Sequence, residues 1–78
     1  MMTYDEAMIK WAEARLKEER LDWVEVYSVG TTLDDQVGTV EAYVEYDEGW
    51  GDGIGGEWTS EPIQLLTWIR QLAEIGYK

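Results

Sequence analysis

Residues Thr39–Glu57 read TVEAYVEYDEGWGDGIGGE, and the order of side chains in this stretch decides the fold. Val40, Ala42, Val44 and Tyr46 alternate with Thr39, Glu41, Tyr43 and Glu45. Successive residues of a strand point to opposite faces, so the spacing predicts a strand over Val37–Tyr46 with one apolar face and one wet face. Such a strand belongs in an antiparallel sheet covered on one side only. Asp47–Gly56 then reads as an acidic loop with five glycines, carrying Trp50 and Ile54 among its acids. A short third strand around Glu57–Thr59 is expected to return beside the first part of the stretch, at the sheet edge because of the glycines before it.

Upstream, Trp23–Val29 (WVEVYSV) is rich in β-branched and aromatic residues and predicts a strand. Simple alternation puts Val24 and Val26 on one face, with Trp23, Glu25, Tyr27 and Val29 on the other. Between the two strands, Gly30–Gly38 (GTTLDDQVG) is turn-like, since Asp34 and Asp35 tolerate tight backbone conformations, and a hairpin follows. A helix precedes it. Thr3 and Glu6 form a T-x-x-E capping box, Asp5 and Glu6 place negative charge on the first turn, and Tyr4, Ala7, Met8, Trp11, Ala12 and Leu16 recur at helical spacing. Glu13 and Lys17 are spaced for an ion pair on its exposed side.

Downstream, Ser60 is expected to cap a second helix with Glu61 and Pro62 in its first turn. Its apolar stripe is Leu65, Leu66, Ile69, Leu72 and Ala73, widened by Ile63, Trp68 and Ile75, and Gly76 suits the C-terminal cap. The expected fold class is therefore α+β, in the order α-β-β-β-α. A small three-stranded antiparallel sheet carries two helices packed on one face, within a single compact domain of residues 1–78. A chain of 78 residues buries only about 60% of its unfolded surface. Five Trp and five Tyr, with no Phe, fill that small core with side chains that keep a polar handle.

The net charge of −11 is unevenly placed. Residues 21–60 hold ten acids (Asp22, Glu25, Asp34, Asp35, Glu41, Glu45, Asp47, Glu48, Asp52 and Glu57) and no base, whereas the flanking helices are nearly balanced. Such a field repels nucleic acid and anionic membranes and attracts basic proteins. No cysteine is present, which removes disulfides and thiolate chemistry and favours a cytoplasmic setting. The segment MMTYDEAMIKW has acids where a secretory signal needs positive charge, and no apolar run approaches the roughly 18 residues of a membrane span.

With no His and no Cys, Ser-His and Cys-His nucleophilic triads are excluded, and the sequence reads as a non-enzyme with no cofactor. Asp47, Glu48, Asp52 and Glu57 are hard oxygen ligands, so a Ca²⁺-organised loop is the alternative reading. Its fit is poor: positions 49 and 51 are glycine where ligands belong, and Glu57 follows Gly53 by four positions rather than six. The glycines make no nucleotide fingerprint either: no helix opens directly on a G-x-G-x-x-G run, no Lys is placed to meet phosphate, and the surrounding charge is of the wrong sign.

A protein-binding surface accounts for more of the pattern. Glu41, Tyr43 and Glu45 share a face spanning about 13 Å, Glu25 and Tyr27 extend it on the neighbouring strand, and Asp47, Glu48, Trp50 and Asp52 continue it into the loop. Trp50 ringed by acids reads either as an anchor that would steer a basic partner and lose it as salt rises, or as a lid folded back over the sheet with the acids serving solubility. In size and charge, though in no motif, the chain resembles the small acidic inhibitors encoded by phages and mobile elements, some of which mimic DNA. That resemblance implies a basic, nucleic-acid-binding protein surface as the partner. A generic acidic domain from a salt-adapted host is a further alternative, opposed by the near-neutral helices. The oligomeric state is open, with the sheet edge as one route to a dimer.

Overall fold

The computed structural model describes residues 2–19, 23–33, 36–47 and 53–77. Helix α1 (Tyr4–Glu18) begins where the capping box places it: Thr3 is extended, and its hydroxyl accepts the Glu6 backbone N–H at 3.1 Å. Ala7, Met8, Trp11, Ala12 and Leu16 are buried along one side, while Tyr4 stays more exposed at the first turn. Where spacing offers Glu13 and Lys17, the structure instead pairs Arg15 with Glu18 at 3.5 Å. The Arg15 guanidinium also lies 5.0 Å from the Trp11 ring.

β1 (Trp23–Thr31), β3 (Val40–Asp47) and β4 (Gly53–Thr59) form an antiparallel sheet in the order β1-β3-β4, so the hairpin and the edge placement of the last strand are present. Two short strands, β2 (Val37–Gly38) and β5 (Ile63–Gln64), form a separate antiparallel pair. The continuous strand expected over Val37–Tyr46 is therefore broken at Thr39. The Thr39 carbonyl accepts the Thr32 N–H to close the hairpin, and Gly38 lies so near the Thr32 carbonyl that a Cβ there would collide with it. Val37 and Gly38 then turn to Gln64 and Ile63 for partners.

A second correction concerns the glycine-rich loop. Gly53–Gly56 belongs to β4, paired with Asp47, Tyr46, Glu45 and Val44. Glycine contributes little strand propensity of its own, and the ladder to β3 satisfies its backbone groups instead. The expected third strand of Glu57–Thr59 is thus only the end of a longer one.

Helix α2 (Leu65–Ile75) starts later than Ser60 predicts. Ser60 is taken up by the sheet: its N–H donates to the Val40 carbonyl and its hydroxyl accepts the Val40 N–H, both at 2.9 Å. Gln64 occupies the N-cap position without a side-chain bond, and the Leu65 N–H donates to the Gln36 carbonyl at 2.7 Å. At the other end Gly76, at φ 132°, closes the helix as expected. Trp68 and Leu72 are buried, with Leu65 and Ile75 packed against the same core. Leu66, Ile69 and Ala73, also expected in the stripe, are exposed, the first two by 75% and 51%, because the buried line runs through Leu65, Trp68, Leu72 and Ile75.

The core joins these helix residues to Val24, Val26, Val40, Ala42 and Val44 from one face of the sheet. α1 lies across β1, and α2 packs on α1 and β5. Trp11 sits among them, with its ring 4.9 Å from Trp68 and 6.1 Å from Trp58, and its indole N–H donates to Gln71 at 2.7 Å. The Trp68 N–H donates to the Tyr4 hydroxyl at 3.1 Å, so buried aromatic bulk keeps its polar handles satisfied. Among the described residues, no helix is long and apolar enough to cross a membrane.

Candidate protein-binding face

The face of the sheet turned away from the helices carries the residues singled out by the sequence pattern. β1 and β3 bring Glu25 directly opposite Glu45, and β3 and β4 bring Tyr43 opposite Glu57 and Glu41 opposite Thr59. Glu25, Tyr27, Tyr43 and Glu57 are exposed, and Glu41 and Glu45 are half-buried. Tyr27 and Tyr43 each leave 56% of their surface to solvent. Gly55 lies beside Glu45 and has no side chain to screen it.

One change of register shapes this face. Val26 pairs with Val44 but Ser28 pairs with Tyr43, which leaves Tyr27 as the extra residue of a β-bulge. Tyr27 and Ser28 are consequently both exposed, and Val29, expected beside them, pairs with Ala42 and packs against the core. Bulges re-aim side chains and increase local twist. Here the bulge sets the Tyr27 hydroxyl where it donates a short hydrogen bond to the Glu45 carboxylate. That bond, followed by partial desolvation and the charges of Glu25 and Glu45, pushes the Tyr27 phenol up from 10.0 to about 12.

Glu41 is held as well. Its carboxylate accepts from the Thr39 hydroxyl at 3.0 Å and the Thr32 hydroxyl at 3.3 Å, and the two threonine oxygens lie 3.0 Å apart. The two half-buried carboxylates of the face are therefore positioned by neutral hydroxyls rather than by cations, which keeps their charge available. Directly opposed like charges such as Glu25 and Glu45 weaken a sheet.

The structure thus brings Glu25, Tyr27, Glu41, Tyr43 and Glu45 together on one face. Asp47 ends β3 in register with Trp23 and Gly53, while Glu48, Trp50 and Asp52 lie outside the described residues. Glu57 joins the face without having been singled out as a partner-binding residue. Its alternation with Trp58, which turns to the core side and donates its N–H to Glu19 at 3.1 Å, is the signal that locates it. Among the described residues, no group of three or more acids gathers closely enough to hold a metal ion. No protein-family model matches the chain, and no curated protein and no solved structure matches it either.

Proposed function

We propose that this protein is a non-enzymatic binding module whose outer sheet face occupies a basic surface on another protein, of the kind that proteins use to hold nucleic acid. The observation that carries this reading is the Glu25–Glu45 opposition inside a patch that also holds Glu41 and Glu57 and, among the described residues, has no base. A sheet that needed only to be soluble would gain stability from an opposite-charge pair at that position. Exposed Tyr27 and Tyr43 supply rigid, amphipathic contact area between the carboxylates, the composition that favours protein interfaces. A basic groove that neutralises phosphates would accept such an array in place of DNA or RNA.

The test compares wild type with a Glu25→Gln, Glu41→Gln, Glu45→Gln variant, first as affinity baits at low and raised salt and then in titration against the recovered partner. The variant is expected to bind at least about tenfold more weakly at low salt, with the difference shrinking as salt rises. Equal binding by both proteins at low salt would sink the proposal.

A further inference from the structure

The opposite side of β4 holds a second feature, unconnected with the sheet face. A cleft of about 450 Å³ lies between the C-terminal half of α1, the end of β4, residues 59–63 and α2. Its volume lies within the roughly 300–1,000 Å³ of small-ligand sites. Trp11 and Trp58 line it with Ile63 and Pro62, and Arg15, Glu18, Glu19 and Glu61 surround the apolar part.

We infer that this cleft is a binding site for one guanidinium-bearing side chain, an arginine presented by a partner protein. Three observations converge on that ligand. First, both indole N–H groups are satisfied within the protein, Trp11 by Gln71 and Trp58 by Glu19; Trp11 is buried, so half-buried Trp58 is the ring with π-surface to offer, and it has no free donor. The negative face of an indole attracts cations, and a guanidinium also stacks on it. Second, the protein already makes this contact once, with the Arg15 guanidinium 5.0 Å from the Trp11 ring. Third, Arg15 is the one base lining the cleft among the described residues, and it is paired with Glu18 at 3.5 Å. Glu19 and Glu61 remain on the rim beside half-buried Trp58, with their charge facing a ligand that has an aliphatic stem and a cationic head.

The stem would cover Ile63 and Pro62 while the head lies against Trp58 and donates to the Glu19 and Glu61 carboxylates. The site is distinct from the outer face, because Trp58 and Glu57 are neighbours on opposite sides of β4. Each reading can therefore fail alone.

The experiment uses N-acetylarginine methylamide as the probe, with the neutral isostere N-acetylcitrulline methylamide as control. The Trp58 indole N–H is followed by two-dimensional NMR and identified among the five tryptophan signals by its loss in Trp58→Phe. The arginine probe is expected to move that signal saturably, with a midpoint in the millimolar range. The citrulline probe is expected to leave it in place. Glu19→Gln combined with Glu61→Gln keeps an acceptor for the Trp58 N–H but removes both charges, and weakens probe binding about tenfold. Glu41→Gln with Glu45→Gln, on the other sheet face, leaves it unchanged. The inference is overturned if citrulline binds as well as arginine, if the cleft variant binds like wild type, or if the amides of Tyr43 and Glu45 respond in place of Trp58.

Discussion

Adjacent residues of β3 live in opposite worlds. Val40, Ala42 and Val44 are no more than 4% exposed against the helices, whereas Glu41, Tyr43 and Glu45 look outward from the same strand. The inner face is settled by packing, with aromatic and aliphatic side chains from α1 and α2 filling the space above it. The outer face is settled by charge and hydrogen bonding, and it retains an arrangement that weakens the sheet, Glu25 against Glu45. A protein keeps such a conflict where local stability is traded for something else, and the proposed surface for a basic partner would be one such reason.

The sharpest way to break this contrast is to place the same charge on each side of the strand. Val44→Asp buries a carboxylate among Val24, Val26 and the helices and is expected to cost about 4 kcal/mol or more. Tyr43→Asp, one residue away, sets an acid opposite Glu57 and replaces a good strand former with a poor one, yet buries no charge, and is expected to cost only about 1 kcal/mol. Urea unfolding of both variants decides the matter, since similar costs would mean that the two faces do not differ.

A smaller effect sharpens the claim that the outer face sacrifices stability. Glu25→Lys turns the opposed like charges into an opposite pair and is expected to stabilise the fold by about 0.2–1 kcal/mol while weakening partner binding. A variant that unfolds at lower urea than wild type would show that the Glu25–Glu45 opposition is not a burden.

The smallest effect lies in the Tyr27 proton. Its folded pKa, about 12, stands above the ordinary 10.0, chiefly because the Glu45 carboxylate accepts its hydroxyl hydrogen. A group raised in this way contributes its stability in full below pH 10, and the contribution is lost as the pH climbs towards 12. Ultraviolet titration of the phenols is expected to show a tyrosine ionising near pH 12 that disappears in Tyr27→Phe and moves down in Glu45→Gln. An unchanged titration curve in Glu45→Gln would remove the bond from the account.

Much of this structure was legible in short-range patterns. The capping box of Thr3 and Glu6, the glycine end of α2, the helical spacing of Ala7, Met8, Trp11, Ala12 and Leu16 and the alternation from Val40 to Val44 each concern residues within a few positions of one another. Of the candidate binding residues, Glu41, Tyr43 and Glu45 followed directly from that alternation. Glu25 and Tyr27 came to lie beside them through the hairpin pairing.

What escaped was set by partners far along the chain. Ser60 resembles a helix cap locally, yet Val40 claims both its N–H and its hydroxyl. Gly53–Gly56 resembles a loop, yet β3 supplies a ladder for it. The bulge at Tyr27 reverses the faces of everything after it in β1, and neither Leu66 nor Ile69 reveals by its own spacing that Leu65, Trp68, Leu72 and Ile75 form the line that α1 covers. The cleft between Trp11 and Trp58 likewise joins residues that no local pattern connects. From the amino-acid order alone came the two amphipathic helices, the two-faced strand and the concentration of acids over residues 21–60. Those properties follow from side-chain period and charge, which every few residues carry with them. Tertiary structure alone decided which acids became neighbours, which tyrosine bonds a carboxylate and where the aromatic cleft opens, because backbone groups and large rings take whatever partner the completed fold brings within reach.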